Sequence, residues 1–333
     1  MINVGDLIKN EYSVLKLIGD GGASKVWLSQ RTEGGELFAI KEIAKDNPIY
    51  RATVNPDGSL TEVDIVKDLN HIFIPKVSAV YEDDEAILII MEYVDGLDLD
   101  TVLESLDEHR LSEEDAVFFG MELCEIFAYL HTRENPIIYK DLKPANIMIN
   151  KEGDVKLIDF GIAQYMKGNQ NRKIVKIGTN GYASPEHLKD DIDERADIFT
   201  LGRTLYALTA GRLPGYVKRY RNKSGEIKEK RVYEPKPFKE LGINNISPEF
   251  ENIVFKCMRE DRNLRYQSAA EVLTALMDIT EKKKKKKTRK KQERKDESRQ
   301  IRKWIASALV ITFIFFIAFY ILVSMTSAGL PKL

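Results

Sequence analysis

The stretch Tyr139-Lys140-Asp141-Leu142-Lys143-Pro144-Ala145-Asn146 is followed, thirteen residues after Asn146, by Asp159-Phe160-Gly161. Between them lie two apolar runs of strand character, Ile147-Met148-Ile149 and Val155-Lys156-Leu157-Ile158. The pattern Asp-x-Lys-x-x-Asn followed by Asp-Phe-Gly supplies two carboxylates, an ammonium and an amide, the set that phosphoryl transfer requires. A carboxylate must stand near the attacking hydroxyl, oxygens must ligate a divalent cation, and cations must sit on the phosphates. The transition state calls for positioning and charge neutralisation more than for covalent chemistry. Either turn alone is ordinary loop chemistry; their order and spacing carry the reading.

Two further pieces lie upstream. Ile18-Gly19-Asp20-Gly21-Gly22-Ala23-Ser24-Lys25-Val26 falls between strand-like segments Tyr12–Leu17 and Lys25–Gln30. A glycine-rich hairpin lets backbone N–H groups approach phosphates with no side chain in the way, although such hairpins are also common turns. Fifteen residues past Val26 is Lys41, which ends the apolar strand Phe38-Ala39-Ile40-Lys41. A strand-end lysine is normally a solvated edge; at this distance from a glycine loop it matches a phosphate contact. The segment Leu60–Asn70 has helical apolar spacing and opens near Thr61 with Glu62 on the side able to face Lys41. Asp64 and Asp68 are the less suitable alternatives.

Together these motifs resemble the eukaryotic-type (Hanks-type) protein kinases, and most of all the bacterial membrane-anchored Ser/Thr kinases, from about Tyr12 to Ile279. The resemblance implies an α+β, bilobal fold: a five-stranded antiparallel sheet plus one helix to about Tyr93, then a mostly helical lobe to about Glu281. It also implies the following roles. Asp141 is the catalytic base or hydroxyl-orienting group, with Lys143 beside the transferred phosphate. Asn146 and Asp159 hold Mg2+, with Mn2+ as the alternative. Gly19, Gly21, Val26, Ala39, Lys41, Glu62, Glu92, Val94 and Met148 form the ATP site. Within it, Glu62 is the ion-pair partner of Lys41, the Glu92 and Val94 backbones bond adenine, and Met91 lines the back of that pocket.

Downstream, Gly178-Thr179-Asn180-Gly181-Tyr182-Ala183-Ser184-Pro185-Glu186 resembles the family's substrate-receiving loop. There Thr179 would touch Asp141 and Lys143, Asp197 would pin the catalytic-loop backbone, and Arg265 would pair with Glu186. The expected function is transfer of the ATP γ-phosphoryl group to Ser/Thr hydroxyls of cytoplasmic proteins. Two other readings stay open, a pseudokinase scaffold and a small-molecule phosphotransferase. The intact Lys41, Asp141, Asn146 and Asp159 weigh against the first, and the Glu186–Arg265 anchor against the second.

The chain departs from the family in two places. Tyr139-Lys140 stands where His-Arg is usual, so the guanidinium fork that clamps a phosphothreonine is absent. Residues 162–178 contain no serine or threonine, Tyr165 being their only hydroxyl. Control by an activation-loop phosphothreonine is therefore not expected.

Over 333 residues the formal net charge is only −1, but it is unevenly spread. Residues 282–303 hold 14 Lys/Arg against 3 Asp/Glu, whereas residues 1–281 hold 36 against 49. This is an acidic folded domain with a basic appendage, and no nucleic-acid partner is expected. Trp304–Val323 then runs for twenty residues without a charge. As a helix that length spans roughly the 30 Å hydrocarbon core, so a transmembrane span is expected. Lysine excess stays on the cytoplasmic side, placing residues 1–281 in the cytoplasm, residues 282–303 against anionic headgroups, and residues 324–333 outside. The start of the chain lacks a signal-peptide pattern. Homodimerisation stays open; the span has no Gly-x-x-x-Gly. The two cysteines, Cys124 and Cys257, lie in apolar stretches and are expected to be reduced and buried. The sequence assigns no role to two insertions: residues 45–59, a flap or a contact surface, and the basic run Val217–Arg231, a solvated loop or an acidic-substrate dock.

Overall fold

The computed structural model describes residues 2–22, 24–166, 179–187, 192–221, 227–232, 234–285 and 288; the side chains of 52, 216–221 and 227–232 are not described. Its first lobe is a sheet built from β1 (Leu7–Ile8), β2 (Tyr12–Asp20), β3 (Lys25–Arg31), β4 (Leu37–Ala44), β5 (Val77–Glu82) and β6 (Ala86–Glu92). The strand order is β1-β2-β3-β4-β6-β5, antiparallel throughout. This corrects the expected five strands to six. The extra strand, β1, is two residues long and turns into β2 through Lys9 and Asn10, both left-handed (φ 53° and 57°).

The expected single helix is likewise two. Helix α1 (Pro48–Thr53) lies in the connection after β4, and α2 (Thr61–Lys67) carries Glu62. The start of α1 has a local cause: Asn47 caps it, and Pro48 at the first position already has helical φ. Helix α2 stops at Lys67, short of the Asn70 read from the spacing, where the Asp68 N–H turns back to the Ile65 and Val66 carbonyls.

Strand β6 is apolar at nearly every position because both sheet faces are covered. Alternate side chains of a strand point to opposite faces. Ala86, Leu88 and Ile90 join Ile2, Tyr12, Val14, Trp27 and Ile40 on the outer face. Ile87 and Ile89 join Ile43, Leu60 and Val63 beneath α2. The buried carboxylate of Glu42 holds the chain start to the outer face, accepting from Ile2 N at 2.9 Å and from Trp27 Nε1 at 3.0 Å.

The second lobe follows β7 (Gly96–Asp98) with α3 (Leu99–Ser105), α4 (Glu113–His131), α5 (Arg195–Ala210) and α6 (Pro248–Cys257). A further helix begins at residue 269. Helix α5 is buried from Ala196 to Thr209, so its sequence is apolar all round apart from polar groups that have assigned partners. Gly202 lets α6 cross at close range, since a Cβ there would lie 2.6 Å from Cys257 Cβ. Between α4 and α5 run short strands: β8 (Ile137–Ile138), β9 (Ile147–Asn150), β10 (Val155–Leu157) and β11 (Gln164–Tyr165). They pair as β10-β9-β7 and β11-β8. The basic insertion folds as a hairpin of β12 (Tyr216–Arg221) on β13 (Ile227–Val232), with Tyr216 opposite Val232. Among the described residues no helix is long and apolar enough to cross a membrane. The expected span 304–323, and the basic segment before it beyond residue 288, lie outside them.

Candidate active site

The hairpin β9–β10 fixes the spacing between the two sequence motifs: Leu157 pairs with Ile147, so Asn146 and Ile158 end up side by side. The bond from Ile158 N to Asn146 O, 2.9 Å, closes the pair. Lys140 and Asp159, one in each loop, adopt left-handed backbone conformations (φ 71° and 61°). Non-glycine residues rarely do so without support. Asp197, fully buried at the start of α5, supplies support for the first: its two oxygens accept from Tyr139 N and Lys140 N, each at 2.8 Å. His131 Nε2 reaches the same carboxylate at 2.9 Å. Tyr139 packs edge-on against Phe160, ring centres 5.1 Å apart, and its hydroxyl donates to the Ile158 carbonyl.

Two polar clusters result. In the first, Lys143 Nζ donates to Asp141 Oδ2 at 2.8 Å and to Thr179 Oγ1 at 2.9 Å, while the Thr179 hydroxyl donates to Asp141 Oδ1 at 2.5 Å. Asn146 Nδ2 donates to the Asp141 backbone oxygen at 2.9 Å and to Oδ2 at 3.0 Å. In the second, Lys41 Nζ donates to Glu62 Oε1 and, at 2.8 Å, to Asp159 Oδ1. Burial alone would lower the Lys41 pKa, but Asp159 and then Glu62 outweigh it and raise it, holding the ammonium charged. Lys41 in turn pulls Asp159 below the usual carboxylate range. Of the three candidate acids, Glu62 and Asp64 in the first turn of α2 and Asp68 at its C-terminal cap, the lysine meets Glu62.

Of the remaining nucleotide-side residues, Val26 and Ala39 share a sheet face with Lys41, whereas Met148 stands on β9 in a separate sheet and Val94 follows the end of β6. Val26 lies opposite Lys41 and Ala39 opposite Met91 across the β3–β4 and β4–β6 ladders. Gly19 pairs with Val26, and Gly21 N donates to Ser24 O at 3.0 Å, closing the glycine-rich hairpin. Met148 is half-buried on β9, between Asp98 and Lys156. Glu92 turns its side chain to Lys156 Nζ, 2.6 Å, and gives its N–H to Lys76 O, 2.9 Å. Val94 makes no backbone hydrogen bond among the described residues, although its residue is buried. A buried backbone donor and acceptor without partners suits the edge of a base.

The residues also fit a magnesium ion. Among the described residues no group of three His, Cys, Asp or Glu could hold a metal, but Mg2+ is typically held by one or two protein oxygens together with phosphates and water. Asn146 spends its amide N–H on Asp141, so its carbonyl oxygen remains, alongside the Asp159 carboxylate.

Farther out, Arg265 is buried and forks onto Glu186, with Nη1–Oε1 at 2.5 Å and Nη2–Oε2 at 2.9 Å. It also donates to the carbonyls of Arg259, Arg195 and Glu260. Sequence reasoning missed two contacts. His131 on Asp197 has no local signal, because the two meet only through the packing of α4 against α5. Lys140 Nζ donates to Gln164 Oε1 at 3.0 Å, a contact made by the two-residue pairing of β8 with β11. Burial brings Lys140 down to about 8.

The sequence model of the protein kinase domain matches residues 12–277. A probable serine/threonine-protein kinase of Streptomyces coelicolor is 30% identical over 280 residues, 78% of this chain and 38% of its own length. The human RAC-beta serine/threonine-protein kinase is 29% identical over 260 residues, covering 77% of this chain and 50% of its own. A serine/threonine-protein kinase of Schizosaccharomyces pombe, cds1, is 29% identical over 256 residues, 73% and 54% respectively. The chain thus spans about half the length of these curated relatives, or less. Because the kinase-domain match covers most of the chain, and the Lys41–Glu62–Asp159 contacts join the two lobes, the chain belongs to the protein kinase family.

Proposed function

We propose that the chain is a serine/threonine protein kinase that moves the γ-phosphoryl group of ATP to hydroxyls of cytoplasmic proteins. One arrangement carries this: the Lys41 and Asp141 clusters converge from segments about a hundred residues apart in sequence. Mg2+, or Mn2+ in its place, would supply positive charge to offset what builds on the phosphates. Asn146 and Asp159 are the oxygens that would hold it. Lys41, kept charged by two carboxylates, is placed to bind phosphate. Asp141 Oδ1 accepts a hydrogen bond from the Thr179 hydroxyl, and the same oxygen can orient and deprotonate an acceptor hydroxyl. Lys143, already donating to both, would balance the transferred phosphate.

No hydroxyl of the usual kind is present in 162–178 for an activating phosphate, and Lys140 is turned inward onto Gln164. Both favour a catalytic loop that does not wait for a phosphothreonine. The uncharged run 304–323 and its basic flank favour a single membrane span with the kinase domain in the cytoplasm. Extraction of membranes at alkaline pH checks the span: release of the chain into the supernatant would refute it. Phosphosite mapping on active protein checks the loop, where an obligatory phosphate within 162–178 would be decisive against it.

Labelled ATP offered with generic protein acceptors, and separately with metabolite acceptors, tests the activity. Asp141→Asn should retain ATP binding and lose transfer by at least about a thousandfold, the scale of removing a general base together with its orienting role. Transfer at the wild-type rate would remove Asp141 from its role, and transfer to metabolites alone would replace protein as the acceptor.

A further inference from the structure

The connection of residues 45–59 joins the strand that carries Lys41 to the helix that carries Glu62, and it is folded along its length. Asn47 caps α1 through Oδ1, which accepts from Ile49 N at 2.8 Å. Its Nδ2 donates at 2.8 Å to the carbonyl of Gly22, in the glycine-rich hairpin. Ile49 lies beside the same glycine, its Cδ1 3.8 Å from where a Gly22 Cβ would be. At the other end Val54 bridges to Leu60. Asn55 is 3% exposed, and its Nδ2 donates to Ser59 Oγ at 3.0 Å and to Thr61 Oγ1 at 3.2 Å. Thr61 opens α2 and immediately precedes Glu62. Between the two ends, Tyr50 and Val54 pack on the inner core with Leu60, Val63, Ile87 and Ile89. A continuous path of hydrogen bonds and packed side chains therefore leads from Gly22 to the Lys41–Glu62 pair.

Building on the kinase reading, we propose that this insertion braces the glycine-rich hairpin against the helix of Glu62, with Asn47 a positioning residue for nucleotide binding. A glycine-rich hairpin is conformationally loose, and loose backbone must be ordered when phosphates bind. Fixing the Gly22 peptide from outside the hairpin lowers that cost in advance, so affinity gains from preorganisation.

The test compares the full chain in detergent with Asn47→Ser and Asn47→Ala. Serine is as good a helix cap as asparagine but is too short to reach Gly22, so it separates bracing from capping. Asn47→Ser is expected to raise the KM for ATP, and the Kd of a non-hydrolysable ATP analogue, about 2- to 10-fold, the range for losing one net hydrogen bond. Its kcat, its KM for the protein acceptor and its nucleotide-free melting temperature should stay near wild type, while Asn47→Ala adds a fall in melting temperature. Unchanged nucleotide affinity in Asn47→Ser, with or without a change in melting, overturns the brace. If the wild type binds the analogue but transfers no phosphate, the kinase reading fails and the affinity comparison still decides the brace. If the wild type binds no nucleotide, both fall.

Discussion

Replacing Asp197 with asparagine should uncouple catalysis from nucleotide binding. The carboxylate is fully buried and receives three hydrogen bonds, two of them from the consecutive N–H groups of Tyr139 and Lys140 at 2.8 Å. Asparagine has one oxygen and one NH2, so one of those backbone donors would face another donor. The loss is about 1.5–3 kcal/mol for a hydrogen bond to a charged group, plus about 1–3 kcal/mol for the buried N–H left without an acceptor. Relaxation of Lys140 from its left-handed backbone (φ 71°) would return part of this, leaving roughly 2–4 kcal/mol. For a domain of this size that corresponds to a fall in melting temperature of roughly 4–16 °C. Relaxation would also displace Asp141, one residue on, and a shift of about 1 Å in such a group costs around a hundredfold in rate. Thermal denaturation and steady-state kinetics on the same preparation provide both readouts. The expected outcome is a lower melting temperature and a kcat down by about two orders of magnitude. The KM for ATP should stay within a few-fold, because Lys41 and Glu62 stand on β4 and α2. A kcat that survives the loss of stability, or a KM for ATP that rises as steeply as kcat falls, would refute the claim that Asp197 acts by fixing the loop.

Two further outcomes are expected. Arg265→Met should destabilise by about 3–5 kcal/mol, because it strands the buried Glu186 carboxylate. Adding Glu186→Gln should recover part of that loss, and strictly additive effects in urea denaturation would contradict the pairing. Lys140 bears on the alkaline side. Its pKa is about 8 folded and about 10.4 unfolded, so between these values the unfolded chain holds the extra proton and stability rises with pH. The cost of burying the ammonium, about 3 kcal/mol, is full below pH 8 and gone above about 10.4. The stability difference between Lys140→Met and wild type should therefore shrink across that window; a difference independent of pH would show that Lys140 is not the titrating group.

Much of the site was legible because its chemistry leaves little freedom in residue type: a carboxylate, a lysine and an amide at fixed intervals, and a lysine at a strand end. The Arg265–Glu186 contact could be anticipated through the family resemblance. The additions to the first lobe could not be read from periodicity. Strand β1 has two residues, too few for an alternation pattern, and depends on left-handed Lys9 and Asn10. Helix α1 has six residues and no repeat, yet Asn47-Pro48 is a helix-start signal that could have been used. Gln164 had no signal at all, since only the fold of β11 onto β8 brings it to Lys140.

The two cysteines of the chain have a consequence of their own. Cys124 and Cys257 are both sealed in the helical lobe as free thiols, and burial pushes Cys257 up to about 12 and Cys124 upward as well. At neutral pH neither offers the thiolate that peroxide or an electrophile attacks. Oxidation and electrophilic capture through cysteine therefore have no ready target among these two side chains, and a covalent inhibitor of the domain would have to seek another nucleophile.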